Sequence, residues 1–491
     1  MLKLTKIRII WLALLGLIIA SFLFLKIVPF GQITYTRTWP SGLHSGKGFI
    51  YDFKPGERID IADRQGLRIL ADPVYFSLFT PRRFSEATLT VKYSSQLSTS
   101  TPIIEAGVLQ DKVSGHYQLK PLENRILDRL RFSWPRLVDE NSFLVLQFDK
   151  FYQDQDEFFK DLRSGHLKNC PVDIINCIAV YNYPLDLPYR LPDYQSLKPL
   201  TITQPLRGAH EFYVYFPGGF WQLVFDFDDL NQDQGQDPLV IRVTSSGENI
   251  ISQRREDNNP YPTNGKNESG QLKFGGDNLT AGVYKVEIKA SDDIVIKKIQ
   301  SSSNKLAFIN KLWPVSGSGE LNLFTDTPYI QVKTFNPASL GKVYFAGQPF
   351  NLTRTYELFD SQVLGAGGRK EIKLTQDDVI LEGNGVFSLS ADSLFNPGVR
   401  KIDRHFSPDN QVKYIIADYA FPLREEEVKQ ATAKFNLQEV HRENGKYTFL
   451  ISVPGLKLIP GQDKSQVSDY LEIKEIKLKL RGTTLWQKIF R

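Results

Sequence analysis

From Gly31 onward the apolar residues of this chain recur at every second position, not at the 3.6-residue spacing of a helix. Ala87, Leu89, Val91 and Tyr93 alternate with Thr88, Thr90 and Lys92, and Tyr284, Val286 and Ile288 alternate with Lys285, Glu287 and Lys289. Each segment can bury only one face, which is the demand of a half-buried antiparallel sheet. The 33 Phe and 21 Tyr favour the same pleated surfaces. The expected class is therefore all-β. Near the C-terminus Leu471 and Ile473 are followed by Ile476, Leu478 and Leu480, a slip of one in parity at Lys474-Glu475 that a β-bulge would absorb.

Helical signals are few and short. Leu122, Ile126 and Leu130 follow Pro121 at helical spacing, Phe158, Phe159 and Leu162 precede a terminating Gly165, and Glu425 to Glu427 stand before Val428, Ala431 and Phe435. At 491 residues the chain exceeds one ordinary core. The proline-rich stretch Tyr183 to Pro192 and the small residues of Trp313 to Gly319 mark joints. The expected order is an anchor over 1–30, a β-rich domain with short helices over 31–200, a jelly-roll-like sandwich over 201–312 and a C-terminal sandwich over 313–491.

Ile9 to Leu25 is an uncharged run of 17 residues, just long enough to span a bilayer. Lys3, Lys6 and Arg8 precede it, so the positive-inside rule predicts a cytoplasmic N-terminus, a retained signal anchor and an extracytoplasmic remainder. A cleaved signal peptide is the competing reading. No acid occurs in residues 1–30, and removing Lys3, Lys6, Arg8 and Lys26 from the formal +5 leaves +1 for the rest, which argues against nucleic acid as a partner. In an oxidising compartment the two cysteines, Cys170 and Cys177, are expected to form one local disulfide.

The sharpest local feature is an acidic turn containing Asp226, Asp228, Asp229, Asn231, Asp233 and Asp237. Such a cluster repels itself unless solvated or bridged by a hard cation, so calcium is the candidate ligand. An EF-hand does not fit: counting from Asp229, glycine falls seventh and Val240 stands where a bidentate Glu is needed. Around this turn, Glu211 to Tyr215, Leu223 to Asp228, Asp237 to Gly247 and Leu279 to Ile288 follow the order strand, acidic turn, strand, exposed loop and Gly-x-Tyr strand. Residues 207–290 thereby resemble the bacterial pre-peptidase C-terminal domain. That resemblance implies a non-catalytic jelly roll appended to secreted or surface proteins, in some cases binding calcium or a polymer.

Catalytic signatures are missing from the sequence: no His-Glu-x-x-His, no Gly-x-Ser-x-Gly and no phosphate loop. The six histidines are scattered, and Gly365 to Gly368 reads as a hairpin turn. Tyr181, Tyr183, Tyr189 and Tyr194 read as part of a connector packed on a sheet, with an aromatic platform for sugar rings as the alternative. The expected function is that of a membrane-anchored, non-catalytic surface protein binding an extracellular polymer or an envelope protein. The rivals are a polysaccharide-active enzyme using an acid pair and a structural subunit of an envelope assembly.

Overall fold

The computed structural model describes residues 11–21, 31–39, 48–61, 66–80, 83–112, 115–140, 142–170, 174–185, 187, 191, 194, 198–232, 237–245, 248–256, 267–315, 320–363, 368–408, 411–425, 427–458 and 461–482. Lys3, Lys6, Arg8, Lys26, Asp233, Tyr189, Gly365 to Gly367 and residues 316–319 lie outside these ranges. Residues 11–21 are helical with Trp11, Leu12 and Leu17 exposed, and no helix among the described residues is long and apolar enough to cross a membrane.

The period-two alternation is realised as paired strands, and the fold is all-β with short helices. Contacts divide the chain into two units. The first combines residues up to Ser133 with Glu140–Phe143 and everything from Asp418. Its larger sheet places Tyr470–Arg481 at the centre, antiparallel to Gln32–Thr38 and to Glu86–Gln96, which in turn pairs with Val428–Asn436. The smaller sheet runs Ile50–Lys54, Val74–Phe79, Lys446–Ser452, Ile103–Asp111 and His116–Asn124. Inward residues of both, among them Val91, Ile473, Leu478, Phe76 and Phe449, form one core, so the unit is a sandwich.

The parity slip is resolved as expected: pairing with Glu86–Gln96 shifts between Ile473 and Glu475, and the backbone oxygen of the intervening Lys474 accepts from Trp39 N at 2.8 Å. Arg125–Ser133 and Gln155–Ser164 are helices, the latter opened by Asp154 and ended by Gly165 at φ 76°. The helix expected after Glu427 is instead the strand Val428–Asn436. There Ala431, Ala433 and Phe435 turn inward while Thr432, Lys434 and Asn436 face out, and pairing with Glu86–Gln96 outweighs the acidic start signal.

The second unit holds Trp134–Asp139 and Leu144–Ala417. Gly219–Asp229, flanked by Glu268–Leu279 and Ile294–Ser301, faces a second sheet containing His210–Phe216, Leu239–Ser245 and Gly282–Lys289. That second sheet does not stop at 313. Leu306–Leu312 pairs with His210–Phe216 on one side and with Ile380–Ser388 on the other, and one apolar core runs from Ile202 to Phe387. The serial boundaries at 200 and 313 therefore give way to a different division: 321–388 continues the sheet of the preceding segment, whereas 428–481 completes the first unit. Phe359–Gln362 and Lys370–Leu374 pair with separate partners, and most of the glycine cluster between them, read as a hairpin turn, lies outside the described residues. Ile178–Tyr181 lies parallel to Tyr414–Asp418 and to Arg400–Lys401, an arrangement that alternation alone does not announce. Beside it Cys170 and Cys177 are joined as a disulfide with Cα atoms 5.8 Å apart.

Candidate functional site: a polar pocket in the second unit

The segment Gly383-Asn384-Gly385 lies within the strand Ile380–Ser388, where two glycines would ordinarily weaken a strand. Their use is steric. A Cβ at Gly385 would collide with the Asp326 carboxylate, and one at Gly383 would meet Thr327 at 3.0 Å and the Tyr329 carbonyl at 3.2 Å. The loop Asp326 to Tyr329 can thus close on the strand, with Val386 N donating to Asp326 Oδ1 at 2.8 Å and Asn396 Nδ2 donating to Asp326 Oδ2 at 2.6 Å.

Between this loop and the segment 396–407 lies a pocket of about 350 Å³ whose lining includes Asp326, Tyr329, Gln362, Asn384, Asn396, Arg400, Lys401, Asp403 and His405. One wall is aromatic: the Tyr329 and His405 rings lie 4.0 Å apart between centroids at 32°. The Tyr329 hydroxyl donates to Asp403 Oδ2 at 2.6 Å, and His405 N donates to Asp403 Oδ1 at 2.8 Å. Burial, reinforced by the Asp403 carboxylate, pushes the Tyr329 hydroxyl far above its ordinary range, so it remains a donor. Burial also lowers the His405 ring, with the neighbouring Arg404 acting in the same direction, which favours neutral imidazole. Asn384 Nδ2 donates to the Lys401 carbonyl at 2.9 Å.

Both carboxylates of the pocket therefore have each oxygen engaged by a donor. Such bonds fix the carboxylates in place and orient their neighbours. The remaining amides, ring faces and cations supply a surface for a polar, uncharged or weakly anionic ligand.

The acidic turn has another structure. Asp226 and Asp228 do lie on one side of their strand, away from buried Phe225 and Phe227. Their charge is met by lysines: Lys297 Nζ stands 2.8 Å from Asp228 and Lys298 Nζ 3.5 Å from Asp226. Gln271 and then Lys298 hold the Asp226 carboxyl below its usual range, and Ser269 donates to Asp228 at 2.6 Å. Asp229, Asn231 and Asp237 are buried on the turn itself, where Asn231 N donates to Asp229 Oδ1 at 3.2 Å and Gln232 N to Asp293 Oδ2 at 2.8 Å. Among the described residues no group of three or more His, Cys, Asp or Glu is placed to hold a metal. The described members of the expected calcium set are thus divided between a lysine-paired face and the turn itself, and Asp233 lies outside the described residues.

Of the connector tyrosines, Tyr181 and Tyr194 are packing residues, and Tyr189 lies outside the described residues. Tyr181 is buried in its strand, while Tyr194 packs against Tyr215 at 5.4 Å and its hydroxyl meets Ser303 at 2.9 Å. The residues that do form the pocket carry no sequence motif, because Tyr329 and Asp403 are 74 positions apart. The one local hint was the Gly-Asn-Gly interruption of a strand.

No protein family and no curated protein matches this chain. Solved structures give only faint likenesses. A VP2 subviral particle of infectious bursal disease virus has 10% identity over 93% of this chain and 81% of its own, with a TM-score of 0.15. The CBM22-1–CBM22-2 tandem domain of Paenibacillus barcinonensis Xyn10C has 6% identity over 58% and 88%, at 0.14. For latent PorU from Porphyromonas gingivalis the values are 13%, 42% and 20%, at 0.12, so this chain matches a fifth of that protein's length. Likenesses this faint carry no functional argument.

Proposed function

We propose that this chain is a membrane-anchored, extracytoplasmic binding protein whose second unit holds a sugar residue of an extracellular polymer. The observation that carries the reading is the composition of the pocket of about 350 Å³: a tilted Tyr329–His405 ring pair beside Gln362, Asn384, Asn396 and Arg400. Sugars present apolar ring faces and many hydroxyls, and rings with planar amides meet both demands. In this reading Asp326 and Asp403, each with a donor on both oxygens, serve to orient the side chains around the ligand. For the anchor, support comes from the uncharged run Ile9 to Leu25 with its preceding basic residues.

The test is calorimetric titration of the full chain, in a sugar-free detergent, with chito-, xylo- and malto-oligosaccharides. At least one series is expected to bind. Tyr329→Ala should weaken that binding by about tenfold through loss of one ring of the pair, and Gln362→Ala, a milder change, should weaken it by less without altering the melting temperature. Binding by none of the three, or binding unaltered in both variants, would remove the pocket from the reading. Release of shortened oligosaccharides would replace it with the enzymatic alternative.

A further inference from the structure

The first unit contains a second concavity, chemically unlike the Tyr329–His405 pocket. The strand His116–Asn124 passes directly into the helix Arg125–Ser133, with Asn124 Oδ1 accepting from Ile126 N at 3.0 Å and Leu127 N at 3.1 Å. At that junction a pocket of about 300 Å³ is lined by Glu123, Arg125, Asp128, Arg129, Phe132, Arg424 and Lys429, with Thr99 and Pro102.

Its cations come in two like-charged pairs. Arg125 and Arg129 are four apart on one helix face, a repulsive spacing. Arg424 and Lys429 stand directly opposite each other in the hairpin of Leu423–Glu425 with Val428–Asn436, again a repulsive arrangement. One member of each pair is neutralised internally. The fully buried Glu123 receives Lys429 Nζ at 2.6 Å, Arg125 Nε at 3.2 Å and the Tyr93 hydroxyl at 2.8 Å. Arg125 spends its other nitrogens on the Leu97 carbonyl and Ser95.

The other member of each pair is held less closely. Among the described residues Arg129 uses only Nε, on the Arg125 carbonyl at 3.3 Å, and no hydrogen bond engages the Arg424 guanidinium, whose charge acts on the Asp128 carboxyl through space. Asp128 is the remaining acid: it accepts the Tyr419 hydroxyl at 2.9 Å, and burial pushes its carboxyl up, against adding negative charge. Glu425 and Glu427 belong to the same hairpin but do not line the pocket. Among the described residues that line the pocket, four cations thus face two acids, an excess of two positive charges; Glu426 lies outside the described residues.

We propose that this pocket binds a phosphate group, held between the guanidiniums of Arg129 and Arg424. Two planar forks suit the several oxygens and double charge of phosphate, where a single carboxylate would occupy only one. The volume leaves room for part of the molecule that carries the phosphate, and the Phe132 ring, 90% exposed at the rim, gives that part an apolar contact. The source is either a phospholipid headgroup or a soluble phosphate.

The experiment follows thermal unfolding and calorimetric binding of the full chain in neutral detergent with inorganic phosphate, glycerol phosphate, dihexanoyl-phosphatidylglycerol and acetate. Phosphate should raise the melting temperature and acetate should not. Arg424→Gln should weaken phosphate binding by about tenfold, and Arg129→Ala with Arg424→Gln should abolish it. Without ligand Arg424→Gln, on an exposed hairpin position, should melt close to the parent, because it removes both the repulsion from Lys429 and the attraction to Asp128, and it keeps the test valid if Arg129→Ala perturbs the helix. Tighter binding of the short-chain lipid than of the other two phosphates would assign the source as a headgroup, and equal binding would assign a soluble phosphate. Equal stabilisation of parent and variants by phosphate, or equal binding of acetate, would overturn the proposal.

Discussion

His210 illustrates how a single side chain couples distant segments and acquires a measurable consequence. It is 2% exposed, its Nδ1 donates to the Gly208 carbonyl at 3.1 Å, and its Nε2 accepts from Trp313 N at 3.1 Å. Acceptance from a backbone N–H requires the neutral ring. Burial, with help from Lys311, lowers its pKa to about 3, whereas an unfolded chain would titrate near 6.5. The unfolded state therefore takes up the proton first, so stability should be complete above about pH 6.5 and fall by up to about 1.4 kcal/mol per pH unit as the pH drops toward 3. His210→Gln should flatten that slope in chemical denaturation run at pH 4, 5 and 7; an unchanged slope would mean other groups dominate. The cysteine pair could be anticipated from sequence because it closes a loop of neighbours. His210 could not, since its partner lies 103 positions away and no local pattern marks it. The same reason hid Tyr329, Asp403 and His405.

Among elements, the strand Tyr470–Arg481 shows what alternation can and cannot reveal. Its apolar residues change parity, and the structure places the extra residue at Lys474 so that Leu471, Ile473, Ile476, Leu478 and Leu480 all reach the core. Deleting Lys474 would turn one of those two sets toward solvent. Each buried aliphatic is worth about 1.5–3 kcal/mol, so expelling even Leu471 and Ile473 should remove most of the stability of the first unit, whereas Lys474→Ala should cost about 1 kcal/mol or less. Urea unfolding of the two variants compares these directly, and similar midpoints would mean the register is not fixed by the bulge. The acidic strand end carries the opposite lesson. Asp226 and Asp228 suggested a cation because sequence shows which charges are close along the chain, not which lysines a neighbouring strand brings across. With Lys297 and Lys298 in place, calcium or a chelator should leave the melting temperature unchanged, and a calcium-dependent rise would reopen the metal reading. Period-two patterning likewise could not foresee that Val428–Asn436 would be a strand, because Val428, Ala431 and Phe435 also fit a helical face.

For the whole molecule, sequence pattern fixes the class of fold but not the order in which segments meet. Prolines and glycines at about 200 and 313 looked like boundaries, yet strand pairing runs through the second and joins Gln32–Thr38 to Tyr470–Arg481 across nearly the full length of the chain. Removing residues 470–481 should therefore unfold the first unit while leaving the second, whose core spans Ile202 to Phe387, resistant to protease. Loss of both units together would show that they do not fold independently. The pairing of the two ends also sets a timetable. A ribosome delivers the chain from the N-terminus at roughly 5–20 residues per second, so Gln32–Thr38 and Glu86–Gln96 emerge some 400 residues before the strand that lies between them. For tens of seconds their hydrogen-bonding edges stand open while the second unit can already close. A cell making this protein must shield those early strands from pairing with copies of themselves, and the demand should ease under conditions that slow initiation and separate nascent chains.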